Sequence, residues 1–225
     1  MKQWRNSKIE FAITNHCNAK CPLCIHTHMY NDGTLNLQHA DFNSFENVVK
    51  KYTNKTQLVA LCGDFGDPLM HPRIQDYIDC TERYNIQLII HTNGGLRTAK
   101  FFEHNAKNEN LEICFSIDGT SQQTNEKYRV NVDYNKAMNN MLAFKTNGGN
   151  ASWDFIIFDY NIDDFYEALQ IAKNYDIKFQ PIINNREWEH KIKDRNLIEE
   201  LKLVLKQHKH GNFLQSLETL KVQQR

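Results

Sequence analysis

Ile9-Glu10-Phe11-Ala12-Ile13-Thr14-Asn15-His16-Cys17-Asn18-Ala19-Lys20-Cys21-Pro22-Leu23-Cys24 sets three cysteines, spaced C-x-x-x-C-x-x-C, directly behind an apolar, strand-like run. Thiolates this close in sequence can converge on one soft metal centre, and clustered cysteines favour iron–sulfur or zinc. A fully ligated [4Fe–4S] cubane uses four cysteines, one per iron. This run supplies three, so a cubane held here keeps one iron open, and an open position is what separates a reactive metal site from a closed one. A Cys₃His zinc site completed by His26 or His28 is the competing reading.

Outward from that stretch, apolar runs alternate with amphipathic ones. The runs Lys8–Thr14, Gln57–Cys62, Gln87–Thr92, Leu111–Ile117, Ser152–Asp159 and Lys178–Ile183 read as strands. Helical patterns lie near Asp41–Tyr52, Pro72–Tyr84, Thr98–Asn105, Tyr134–Thr146 and Asp163–Asn174. Asp41, His71-Pro72 and Asp163 mark helix starts, and Gly148-Gly149 marks a stop. Such alternation predicts parallel strands joined by right-handed crossovers. Six units fit 225 residues, whereas an eight-unit barrel typically takes ~250. The expected fold is therefore α/β, an open partial (β/α)6 barrel of parallel strands over 1–185. A charged helix near Asp194–Lys209 belongs to a C-terminal helical extension, 186–225, on or near the barrel.

Composition bounds the function. The chain is 40% hydrophobic and 11% aromatic, enough for one well-buried core. Twenty-seven basic residues balance 27 acidic ones, so no global field favours nucleic acid or an anionic membrane. No apolar stretch approaches the ~20 residues that span a bilayer. Met1 to Lys8 carries charge without an apolar segment behind it, so no secretory signal is expected. The six cysteines are read as reduced thiols in a cytoplasmic protein rather than three disulfides.

Ligands of such folds gather at the carboxyl ends of the strands, which is where the cysteine triplet falls. Four further segments share that rim. After the second strand, Gly63-Asp64-Phe65-Gly66-Asp67-Pro68 offers two glycines for close backbone approach and two carboxylates for an ammonium group. The same residues also make an ordinary turn. After the third comes His91-Thr92-Asn93-Gly94-Gly95, a turn that many α/β loops share. On the fourth, period-two alternation puts Leu111, Ile113, Phe115 and Ile117 towards the helices, and Glu112, Cys114, Ser116 and Asp118 inward. Ser116 and Asp118, nearest the rim, suit a ribose. Past the fifth strand lies Asn161, which either faces a cofactor or begins a turn.

Taken in this order, the segments resemble the radical S-adenosylmethionine (radical SAM) superfamily over roughly residues 8–185, in particular the core of its SPASM/MoaA-like branch. The resemblance implies a partial barrel in which Cys17, Cys21 and Cys24 hold one [4Fe–4S] cluster. The open iron then chelates the amino and carboxylate groups of S-adenosylmethionine, whose reductive cleavage yields a 5′-deoxyadenosyl radical for hydrogen abstraction. Gly63, Asp64, Gly66 and Asp67 are similar to the family's glycine–acid motif for the cofactor's amino group, usually Gly-Glu-Pro, with Asp67 replacing Glu. Thr92 and Asn93 resemble an element lining the cofactor pocket, and Ser116 and Asp118 match the Ser-x-Asp-Gly ribose motif. Arg129 stands where relatives place an arginine for the cofactor carboxylate, a bidentate pairing, and Asn161 where they place an asparagine near the adenine. Leu23 departs from the usual aromatic before the third cysteine. No match to the Gly-x-Ile-x-Gly-x-x-Glu adenine motif is visible.

Cys62 and Cys114, within strands, read as small hydrophobes, and Cys80 sits on a helix. With no cysteine after Cys114, a single cluster is expected. The resemblance then implies an external donor of flavodoxin or ferredoxin type. His71 and His91 read as polar rim or structural residues. Inward groups low in the barrel, Glu10, Glu112 and Lys178 or Gln180, are candidate contacts for a peptide, amino-acid or small-metabolite substrate. The non-catalytic alternatives are a structural zinc protein and a cluster-binding module that performs no reaction.

Overall fold

The computed structural model describes residues 8–52, 58–63 and 65–209. The expected strand start at Gln57 and the site candidate Asp64 lie outside them. Six strands run β1 (Lys8–Phe11), β2 (Leu58–Leu61), β3 (Gln87–Thr92), β4 (Leu111–Ser116), β5 (Asn150–Ile157) and β6 (Lys178–Ile183). Among the described residues the helices are α1 (Ile25–Asn31), α2 (Phe42–Tyr52), α3 (Ile74–Arg83), α4 (Ala99–Asn105), α5 (Gln122–Asn125), α6 (Tyr134–Thr146), α7 (Ile162–Asn174) and α8 (Arg195–Lys209). None is long and apolar enough to cross a membrane.

Every strand pairs in parallel with its neighbour in sequence, so the sheet order is β1-β2-β3-β4-β5-β6. An order without reversal, joined by right-handed crossovers, returns each helix to one face and leaves the other to curl around an interior. Among the described residues β1 and β6 each have one strand neighbour, so the sheet is open. This is the α/β partial barrel that the alternation predicts.

Alternation also decides what each face does. Leu111, Ile113 and Phe115 of β4, with Ala151, Trp153, Phe155 and Ile157 of β5, join the core beneath the helices. Burying the leucine, isoleucine and phenylalanine side chains among these is worth roughly 1.5–3 kcal/mol each. Parallel strands covered on both faces usually read as unbroken apolar runs. Here Cys114, Ser116, Ser152 and Asp154 interrupt them, because the inner face borders a polar interior.

Local chemistry sets the helix ends. Asp133 caps α6, its carboxylate accepting from Lys136 N at 2.9 Å. At the other end Gly148 takes φ +97°, a left-handed value that favours glycine. Gly149 N then donates to Phe144 O at 2.9 Å and Gly148 N to Lys145 O at 3.1 Å, closing the turn.

Some boundaries move from the expected ones. β1 ends at Phe11 rather than Thr14 because Ile13 O accepts from Ala40 N at 2.8 Å and Thr14 bridges His39, so both leave the ladder. α3 starts at Ile74 because a 3₁₀ turn, Pro68–Met70, precedes it and His71 Nδ1 accepts from Arg73 N at 3.1 Å. α7 starts at Ile162, so Asp163 lies within the first turn instead of capping it.

Beyond β6, Trp188 packs on Tyr128 and Phe158, and Leu201 and Val204 of α8 join the main core.

Candidate active site

Cys17, Cys21 and Cys24 occupy the loop from β1 to α1, which begins from Cys24: its carbonyl accepts from Thr27 N at 3.0 Å and His28 N at 3.2 Å. Neighbouring loops clamp this segment. Asp67 N donates to His16 O at 2.8 Å, and Lys20 N to Val130 O at 3.0 Å. Asn93 Nδ2 donates to Asn18 Oδ1 at 2.8 Å, and Arg186 Nη1 to Leu23 O at 3.0 Å. Gly66 permits the tightest approach: a Cβ there would stand 2.6 Å from Thr14 O and 2.7 Å from His16 O. Both obstacles are backbone, so Gly66→Ala is expected to push the cysteine loop away and to cost roughly 1–3 kcal/mol, as overpacking does. Thermal unfolding together with bound iron reads both effects; a variant unchanged in both would show the approach to be slack.

The clamped loop opens on a cavity of ≈ 440 Å³, within the roughly 300–1,000 Å³ of small-molecule sites. All three cysteines line it. Facing them across the mouth are Gly63, Gly66 and Asp67 after β2 and Thr92 and Asn93 after β3. Ser116 and Arg129 complete the upper wall, while Lys8, Glu10, Cys62 and His91 line the cavity further down the strands. Lys8 and Cys62 were not expected on this wall, although period-two counting back from Glu10 along β1 points Lys8 inward.

Asp67 is buried, and its carboxylate is already engaged. It accepts from Leu69 N and Asn93 N, each at 2.9 Å, and from Thr92 Oγ1 at 2.8 Å. Burial pushes its carboxyl up, against the pull of those donors. Asp67 therefore ties the β2 loop to the β3 loop, and the surface it presents to a ligand is mainly backbone.

Asp118 and Asn161 stand behind the wall rather than on it. Asp118 is 0% exposed. One carboxylate oxygen accepts from Arg129 Nε at 2.5 Å, the other from Ile156 N at 2.6 Å. Asn161 Nδ2 donates to Asp118 O and to Ile156 O, each at 2.9 Å, and its Oδ1 accepts from Phe158 N at 2.7 Å. Arg129 is the member of this group that reaches the cavity, with Nη1 4.0 Å from Cys21 Sγ. Burial works against its charge, but Asp118 and Cys21 outweigh that and hold the guanidinium cationic.

A Cys₃His zinc site is not preassembled: among the described residues, the triplet with His26 or His28 is not among the groups whose donor atoms lie within 4.8 Å of one another. His26 is buried, with Nε2 hydrogen-bonded to Asn15 O at 2.9 Å, and His28 is exposed on α1. A single tetrahedral zinc would draw its sulfurs to roughly 3.8 Å of one another. Among the described residues, the ligand-type trio with donor atoms within 4.8 Å is instead His91, Cys114 and Asp154. Three spread sulfurs on one cavity wall, beside backbone turns and a fixed guanidinium, suit a cubane that carries a small zwitterionic ligand. Burial raises the Cys17 thiol to about 12, with Asp67 adding to it, and raises Cys21 in spite of Arg129. Metal binding here must therefore displace protons. His91 is raised to about 10 by its contact with Asp154 and then Cys114.

An open parallel six-strand barrel with a cysteine triplet at its carboxyl mouth defines a metal-centred α/β enzyme. The Radical SAM superfamily model matches residues 11–172, and the chain belongs to that superfamily, whose enzymes use a [4Fe–4S] cluster and S-adenosylmethionine. No curated protein sequence matches the chain. The fold is similar to the crystal structure of Streptococcus suis SuiB bound to S-adenosylmethionine (TM-score 0.71, 13% identity), over 91% of this chain and 48% of that one. It is also similar to native anSMEcpe with bound AdoMet (TM-score 0.67, 15% identity; 91% and 62%). A third similar fold is methylornithine synthase, PylB (TM-score 0.59, 12% identity; 82% and 55%). The chain thus spans about half the length of SuiB and under two thirds of anSMEcpe.

Proposed function

We propose that this radical SAM enzyme abstracts hydrogen from a peptide, amino-acid or small-metabolite substrate, using one cluster held by Cys17, Cys21 and Cys24. The observation that carries the proposal is convergence: seven expected cofactor residues, Gly63, Gly66, Asp67, Thr92, Asn93, Ser116 and Arg129, share a cavity with the three cysteines. When bound, the cluster and S-adenosylmethionine would supply one electron and a reductively cleavable carbon–sulfur bond, the chemistry that radical hydrogen abstraction needs.

The chain's own residues bind, orient and shield. Backbone at Gly63–Asp67 receives the cofactor's ammonium group, and Arg129 meets its carboxylate. Ser116 takes a ribose hydroxyl. Asp118 acts through Arg129, holding its fork in one orientation so that little rotamer freedom is lost on binding. Asn161 acts a step further back, bracing the turn behind Asp118.

SuiB has been crystallised bound to precursor peptide SuiA, and anSMEcpe with bound Cp18Cys peptide. Those complexes support a peptide as the leading substrate class. The barrel unit is taken as 1–185 with an extension from 186, and the electron as coming from a flavodoxin- or ferredoxin-type protein.

Anaerobic protein is expected to bind about four irons with sulfide and, after dithionite and S-adenosylmethionine are added, to release 5′-deoxyadenosine. One zinc in place of iron would overturn the proposal. A loaded cluster yielding no deoxyadenosine would reduce the chain to a binding module.

A further inference from the structure

Below the residues assigned to the cofactor, the inner face of the barrel carries a second group of ligand-type side chains. The strand register brings it together: His91 of β3 lies opposite Cys114 of β4, and Ser116, two residues further along β4, lies opposite Asp154 of β5. All three side chains point inward, because the residues between them belong to the core under the helices. One donor atom from each lies within 4.8 Å of the other two.

Two features distinguish this trio from an ordinary buried charge pair. His91 Nδ1 and Asp154 Oδ2 are 3.6 Å apart, too far for a good direct hydrogen bond. That spacing matches a ligand–ligand edge of a tetrahedral zinc site, roughly 3.3–3.8 Å for metal bonds of 2.0–2.3 Å. Outer partners are also in place, as metal ligands require. Gln180 Nε2 donates to Asp154 Oδ1 at 3.1 Å, and Ser152 Oγ donates to Cys114 Sγ at 2.9 Å.

We propose that His91, Cys114 and Asp154 form a mononuclear zinc site inside the barrel, separate from the cluster cysteines. One nitrogen, one sulfur and one carboxylate oxygen are a borderline-soft set that suits zinc. With a thiolate, a carboxylate and a neutral imidazole as ligands, a bound zinc ion leaves the site without net charge, and binding requires those ligands to be deprotonated. Three protein ligands leave a fourth position. His91 lines the cavity, so that position faces the space in which substrate would sit, and water there is exchangeable for a thiolate or carboxylate of the substrate.

The test uses protein with its cluster reconstituted without oxygen, exposed to zinc chloride, desalted, and analysed for both metals. About one zinc beyond the cluster iron is expected, and zinc X-ray absorption should show one sulfur near 2.3 Å with nitrogen or oxygen near 2.0–2.1 Å. Cys114→Ser and His91→Gln should each lower retained zinc about tenfold or more, with iron and far-ultraviolet dichroism unchanged. Should either variant misfold, Asp154→Asn provides the same reading. Zinc absent from the wild-type protein, zinc bound by several sulfurs, or zinc undiminished in the variants overturns the site. Each of those results leaves the iron and deoxyadenosine results standing, and should the cluster be lost, the single-sulfur signature separates this site from zinc on the freed cluster cysteines.

Discussion

An Asp118→Ala chain is expected to lose roughly 3–5 kcal/mol of folding stability, the usual cost of stranding a buried charge. Asp118 is the near partner of the Arg129 guanidinium, and its second oxygen satisfies the Ile156 amide. Its removal leaves the inner edge of the largely buried guanidinium and the Ile156 amide without their partner. Against a total of roughly 5–15 kcal/mol, that is a large fraction. Urea unfolding should show a lower midpoint at unchanged slope. Pairing the change with Arg129→Met should recover much of the loss, because the orphaned charge goes too. A shift under about 1 kcal/mol in the single variant would mean that Arg129 finds another partner, and that Asp118 does not hold it in place.

A Cys21→Ala chain prepared without oxygen is expected to bind no stable cluster and to form no detectable 5′-deoxyadenosine. Two sulfurs do not hold a cubane that already lacks a fourth protein ligand, and Arg129 loses the sulfur beside its Nη1. Cys80→Ala is the control. Cys80 is 0% exposed in the core, on α3, so its loss should cost roughly 1 kcal/mol through the small cavity it leaves, with iron retained. Iron and sulfide analysis with product quantification separates the two. Full iron in Cys21→Ala would remove the triplet from the proposal.

How far the sequence could be read depended on what each signal measures. β3, β6 and α6 fall on their expected ends, because their apolar periodicity stops where their hydrogen bonding stops. β1 does not. Ile13 is buried, so the apolar run continues past Phe11, but its carbonyl bonds to Ala40 instead of to β2. Apolarity reports burial, and pairing is a separate matter. The same distinction explains Asp118. Alternation aims it inward with Ser116, yet β4 ends at Ser116, and beyond that point the side chain turns to Arg129 and the β5 backbone. A polar residue facing a ligand and one bracing the wall behind it look alike in sequence, since both are polar at the rim. α1 was missed because seven residues between a metal-type loop and Asp32-Gly33 carry too little periodicity to stand out from a loop. His91, Cys114 and Asp154 lie on three strands, and only their register, which no single strand encodes, makes them neighbours.

The unclosed ring exposes two outer strands, and an outer strand is a template on which a stray polypeptide can dock as one more rung. The chain blunts both. Among the described residues β1 pairs over four, and Pro181 takes an amide donor out of β6. A polypeptide approaching through the seam therefore meets a broken row of backbone partners. Its hold on the barrel must come from side chains inside, which keeps an open wall from becoming a nucleus for aggregation.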